Sequence, residues 1–303
     1  MIRHVPDTYG TAFSPERAFS SASIRRMRSA FQSQEVAAFT LIEMMVVIGV
    51  IGVLTALLLP VLSKARDRAR TVSCANDLKQ LQTSWHLYAS ENSDVLPPNN
   101  FVLDSDDFPV ANGPSWCPDR AREDEDTKAL ESGALFPYVR SVDVYHCPAD
   151  RSTVVTLGGE ALSRLRNRSY NMSQSVNGGP VFSDEEGFIT NTPSVKKLAE
   201  IRRPPPSDLF VFIDEHADTL HDAHFGNPPV GSAFFSAYQG RWSDMPADRH
   251  SQGCNVSFAD GHVERWAWKV PKIFQSLGQI PSESEGPDYA RIQKAMVQPS
   301  DLQ

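Results

Sequence analysis

Five of the eight histidines in this 303-residue chain fall between positions 216 and 262: His216, His221, His224, His250 and His262. Asp214, Glu215 and Asp260 lie among them. Imidazoles and carboxylates gathered together suit zinc or another transition metal. In "DLFVFIDEHADTLHDAHF", Asp214 and His216 share a face if the run is a strand. "DRHSQGCNVSFADGHVERWAW" adds His250, Asp260 and His262. The candidate metal set is Asp214, His216, His250, Asp260 and His262. A plainer reading stands beside it, because no tight spacing such as H-x-x-x-H occurs. In that reading Asp260 is turn chemistry and His250 hydrogen-bonds the hairpin backbone.

Other chemistry is less marked. A His–Asp pair with Ser251 or Cys254 would make a nucleophile system, but there is no G-x-S-x-G elbow, P-loop or H-E-x-x-H to place one. The chain therefore reads as non-enzymatic, with a tethered hydrolase as the rival class. The acidic runs at 104–107 and 123–126 are solvated faces or calcium loops, since carboxylates are hard oxygen donors. The divalent metals open to the chain are thus zinc and calcium. Four cysteines, Cys74, Cys117, Cys147 and Cys254, are too widely spaced for a C-x-x-C knuckle. If the body is extracytoplasmic, disulfides can form. Cys117 and Cys147 sit in similar contexts, "WCPD" and "HCPAD", and are the favoured pair; two free buried thiols are the alternative.

These groups need elements to hold them. Leu209–Ile213 reads as a buried strand. Asp260-Gly261 between "NVSFA" and "HVERW" reads as a two-residue type I′ hairpin turn, pairing Phe258 with Val263 and Ala259 with His262. Upstream, Met44–Ser63 is twenty residues without a formal charge, about 30 Å as a helix and so about the thickness of a bilayer core. The helix should run on, because Val72, Ala75, Leu78, Leu81, Trp85 and Tyr88 make an apolar stripe at spacings of three and four. Asn92–Asp94 ends it, and Pro97-Pro98 forbids continuation. One helix of roughly 75 Å results. Glu43 is the anomaly, since a carboxylate near lipid needs a partner or an edge position.

Formal net charge is −8, which gives nucleic-acid binding no global support. Residues 1–38 carry five Arg against three acidic groups, so that segment is +2 and the remainder −10. Twenty-two Pro and seventeen Gly indicate a loop-rich body.

"A-FTLIEMMVVIGVIGVLTALLLP" resembles the N-terminal signature of type IV prepilins and type II secretion pseudopilins. The resemblance implies a leader at 1–38, cut by a prepilin peptidase on the cytoplasmic side between Ala38 and Phe39, with N-methylation of Phe39. The family usually has Gly where Ala38 stands. It further implies assembly roles for Glu43, four residues after the new terminus, and for Pro60, a helix-kinking proline. His250, nine residues and then Asp260-Gly261 resemble the H-X9-DG tail of pilin-like proteins, as do "FIDEH" and "CPAD".

The implied fold is α+β, with the distal half of the long helix packed on an antiparallel sheet and the hairpin at 250–268 in or beside it. The implied organisation is a transmembrane or filament helix at 39–62, its amphipathic continuation at 63–92 and a loop-rich domain at 93–303. Sequence leaves the order of the tail at 282–303 open. Implied partners are the prepilin peptidase, other pilin-like subunits, the inner-membrane assembly machinery and membrane lipid. The implied location is the inner membrane, N-terminus cytoplasmic and body extracytoplasmic. Lys64, Arg66, Arg68 and Arg70 downstream outnumber Arg25, Arg26 and Arg28 upstream, so basic residues alone slightly favour the opposite orientation. A membrane-anchored metal-binding or substrate-binding protein is the alternative.

Overall fold

The computed structural model describes residues 39–100, 102–103, 109–110, 113–156, 158–179, 182–183, 189–190, 193–228 and 239–302. The expected leader at 1–38, Ala38 included, and the acidic run at 104–107 lie outside the described residues.

Helix α1 is Leu41–Glu91 and continues through Pro60. Its start is chemically defined. Thr40 donates its backbone N–H and its hydroxyl to Glu43 Oε2, at 2.8 and 2.7 Å, and Thr40 Oγ1 accepts the Glu43 N–H at 3.3 Å. This reciprocal pairing is a capping box, which satisfies backbone donors that the first turn leaves free. Glu43 therefore has a local partner in its own helix. Every residue from Phe39 to Leu62 is exposed, and α1 is long and apolar enough to cross a membrane by length and composition. The helix ends where Ser93 and Asp94 turn left-handed, at φ 55° and 69°, and the Asp94 N–H reaches back to the Ala89 carbonyl at 2.9 Å.

The chain divides into two units within α1, between Leu57 and Leu58. In the second unit the buried stripe of α1 is Cys74, Leu78, Leu81, Trp85 and Ala89. The expected stripe is thus corrected at its start: Val72 is exposed and Cys74 takes the inward place, four residues before Leu78. Full burial of Leu78 or Leu81 contributes about 1.5–3 kcal/mol each from solvent exclusion.

The stripe packs on a five-stranded sheet. Its strands are β1 (Tyr170–Ser173), β2 (Phe210–Asp214), β3 (His224–Phe225), β4 (Gly253–Phe258) and β5 (Val263–Ala267), in the order β3-β1-β2-β4-β5. Neighbours run antiparallel except β3, which pairs parallel to β1 at one edge. The fold is α+β as expected, with a mixed rather than wholly antiparallel sheet. Alternation along β4 shows how both faces are used. Asn255 Nδ2 donates to the Thr71 carbonyl and Ser257 Oγ to Gln82 Oε1, both at 2.9 Å, so this face meets α1. Cys254, Val256 and Phe258 join Trp266, Trp268, Tyr289 and Ile292 in a separate apolar cluster. Tyr289 and Ile292 belong to α2, Gly286–Lys294, which packs this part of the tail against the cluster.

The β4–β5 turn departs from expectation. Ser257 pairs with Val263, the Phe258 N–H donates to the His262 carbonyl at 3.0 Å, and the Gly261 N–H to the Phe258 carbonyl at 2.8 Å. Gly261 alone at this turn has a left-handed φ, +96°. The loop is therefore three residues, Ala259-Asp260-Gly261, closed by a glycine in the left-handed position. The two-residue pairing is wrong by one step, and Phe258 meets His262 instead, their rings stacked 4.3 Å apart.

Candidate functional site

Four elements of the body bring one set of chemical groups together. Cys74 comes from the inward stripe of α1. Cys147 follows the helical turn Val142–Tyr145, its N–H held by Ser169 Oγ at 3.1 Å. Asp214 is the last residue of β2, and His250 precedes β4. One thiol, carboxylate or imidazole atom from each lies within 4.8 Å of the others, and all four residues are buried. Cys147 Sγ is 3.3 Å and Asp214 Oδ2 3.4 Å from His250 Nε2. The other ring nitrogen, Nδ1, lies 3.2 Å from Thr71 Oγ1 on α1.

Arg249 holds the next layer. Its guanidinium pairs with Asp214 Oδ1, lies 3.1 Å from Asp150 Oδ2, and donates to the Glu215 carbonyl at 2.9 Å. Ser169 Oγ donates to Asp150 Oδ2 at 2.7 Å and the Ser152 N–H to Oδ1 at 2.9 Å. Burial pushes the Asp150 carboxyl up, but Arg249 and these donors outweigh it and hold it below the usual carboxylate range. Burial likewise disfavours the His250 cation, yet Asp214 and Cys147 raise it to about 9. The Cys147 thiol is pushed up by the neighbouring Cys74 and by burial.

A second buried network supports the same end of the sheet. Arg168 donates to Asp119 Oδ1 at 2.8 Å, to the Tyr170 carbonyl at 2.8 Å and to the Asp222 carbonyl at 2.7 Å. Burial raises Asp222 to about 7, and burial with Asp244 nearby raises Glu215.

Of the five residues that sequence nominates as ligands, Asp214 and His250 come together and three do not. β2 stops at Asp214, so the strand alternation that would aim His216 the same way has ended. His216 sits 3.8 Å from Asp218 and packs its ring near Phe274. Asp260 and His262 are at the far end of β4 from His250, about 20 Å along a six-residue strand. There Asp260 Oδ1 accepts the His262 N–H at 3.0 Å and faces its ring at 2.6 Å, which is turn chemistry. The Cys117–Cys147 disulfide is also corrected: all four cysteines are free thiols, Cys117 Sγ donates to Asp119 at 3.1 Å, and Cys147 faces His250. Cys74 is the ligand-type residue that sequence reasoning passes over. Its signal was its position four residues before Leu78. Cys254 is buried in the apolar cluster, where burial pushes its thiol up, away from the reactive thiolate. In the 123–126 run, Asp124 caps the Arg120 N–H at 2.8 Å and Asp126 pairs with Lys128 at 2.7 Å.

No family model and no solved structure matches the chain. Competence protein ComGC of Halalkalibacterium halodurans is 38% identical over 73 residues, which is 24% of this chain and 69% of that protein. An exposed apolar helix that fits a single-pass membrane anchor, running on as the inward stripe of an α+β body, agrees with that match, and the chain belongs to the pilin-like family of ComGC.

Proposed function

We propose that this chain is a non-catalytic pseudopilin, cut by a prepilin peptidase before Phe39, methylated there, and assembled into a type II secretion or type IV pilus-type filament. The observation that carries the reading is α1 itself. Its first part is wholly exposed and apolar, and its later part is core of the body. An apolar helix of this kind packs against copies of itself as readily as against lipid. Assembly would draw subunits from the inner membrane, with the body outside the cytoplasm. Mass spectrometry of the membrane-bound protein should find N-methyl-Phe39 at the mature terminus. An intact Met1 overturns the reading, as an anchored protein outside a filament needs no such cut.

Glu43 has a defined part in it. Its Oε2 already draws the Thr40 N–H, one peptide from Phe39. Cleavage would place an amine beside a carboxylate that the capping box holds in position, within one subunit or between two. Glu43→Ala should leave processing intact and reduce filament incorporation. Glu43→Gln keeps the capping geometry and removes the charge, so it should behave like Glu43→Ala. Normal incorporation of Glu43→Gln would reduce Glu43 to a helix cap.

A further inference from the structure

We propose that Cys74, Cys147, Asp214 and His250 form a structural zinc site that staples α1 to the sheet of the body. Two soft thiolates, one imidazole and one carboxylate make a donor set suited to zinc, and four protein donors close a tetrahedral shell without an open position. Tetrahedral bonds of about 2.0–2.3 Å imply donor–donor edges of about 3.3–3.8 Å. The Cys147 Sγ–His250 Nε2 and His250 Nε2–Asp214 Oδ2 separations, 3.3 and 3.4 Å, lie at that length. Asp214 Oδ2 is fully buried and makes no hydrogen bond among the described residues; it faces His250 Nε2 at 3.4 Å, a contact that a cation shared by the two would replace.

The surroundings are those of a ligand shell. Thr71 Oγ1 at 3.2 Å from Nδ1 fixes the His250 ring so that Nε2 faces the other three donors. Arg249 takes Asp214 Oδ1, leaving Oδ2 turned toward His250. The Cys147 N–H is anchored on Ser169. The four donors are drawn from α1, the loop after Tyr145, the end of β2 and the turn before β4, separated by up to 176 positions (250 − 74). A metal here would fix where the pilin-type helix lies on its body, a role distinct from filament assembly through Phe39 and Glu43.

The test uses the full-length chain purified in detergent from zinc-supplemented cells. Elemental analysis should find one zinc per chain. Replacement by Co²⁺ should give a thiolate-to-cobalt charge-transfer band and the intense visible bands of a tetrahedral site. Cys74→Ser and Cys147→Ser should each lose metal and both bands, whereas His262→Ala, at the exposed turn, should keep them. The wild-type readings stand even if a cysteine variant does not fold. Absence of stoichiometric zinc together with no cobalt spectrum overturns the proposal. So does a Cys74–Cys147 disulfide found by thiol alkylation and mass spectrometry of the native protein. Either failure leaves the N-terminal processing experiment unaffected.

Discussion

Replacing Arg249 by Met should reverse the sign of Asp150's contribution to the pH dependence of the body's stability. Arg249 lies between two buried carboxylates, 3.1 Å from Asp150 and paired with Asp214. At 3.1 Å and an effective dielectric constant of about 20, attraction to Asp150 alone is about 5 kcal/mol before desolvation. Stranding a buried partner of this kind costs about 3–5 kcal/mol. The sign follows from Asp150, whose carboxyl is held below its ordinary value against the opposing effect of burial. Its stabilisation is present above the unfolded carboxylate pKa of about 4 and is lost as pH falls through the lower folded value. In Arg249→Met burial remains and its main opponent is gone, so the folded pKa moves above the unfolded one. The remaining contribution is then greatest below about pH 4 and is lost as pH rises. The cost of the substitution should therefore grow with pH: it is smallest below the unfolded carboxylate pKa of about 4, already appreciable near pH 4.5, and about 3–5 kcal/mol near pH 8. His146 and Cys147 also face this network, and Arg249 pairs with Asp214 as well. All five tryptophans are buried, so urea titrations of the detergent-solubilised chain can be followed by their fluorescence. Adding Asp150→Asn should recover part of the loss, by removing one stranded charge. A cost below about 1 kcal/mol at pH 8, or one that does not change with pH, would refute the reasoning.

Two further outcomes follow from α1. Leu81→Ala should cost about 2–5 kcal/mol in the same titration, because Leu81 is fully buried between helix and sheet, while Leu87→Ala, on the exposed side, should stay within about 0.5 kcal/mol. Asp77, raised to about 7 by burial and by Asp143, penalises the folded state as pH rises from its unfolded value near 4 through about 7. Asp77→Asn should therefore stabilise the chain at pH 8 and not at pH 4, by about 1 kcal/mol after allowance for solvent screening of this half-buried group; equal effects at both pH values would exclude that origin.

Much of the scaffold was legible because it rests on local periodicity. The apolar run and the stripe after it specify one helix to within two residues at each end, and Leu209–Ile213 and the Asp-Gly turn specify β2 and the hairpin. The turn's length was not legible, since Asp-Gly serves both a two-residue turn and a three-residue loop closed by glycine; the choice rests on the Phe258–His262 pairing. Half of the candidate site was missed for a related reason. Nearness in sequence grouped His216, Asp260 and His262 with Asp214 and His250, yet a six-residue strand holds its two ends apart. Cys74 is far from all of them in sequence and is brought in only by packing.

The nine-residue spacing between His250 and Asp260-Gly261 in this chain gains a physical meaning from these contacts. His250 Nδ1 meets Thr71, and the Gly261 carbonyl at the other end accepts from Lys79. Between them Asn255 reaches the Thr71 carbonyl and Ser257 reaches Gln82. Thr71 to Lys79 is eight residues, about 12 Å of helix axis. A strand with α1 contacts at both ends cannot slide along the helix without breaking polar contacts at each, and a register slip of one residue would turn Asn255 and Ser257 into the apolar cluster. The spacing thus acts as a ruler that aligns β4 with the helix.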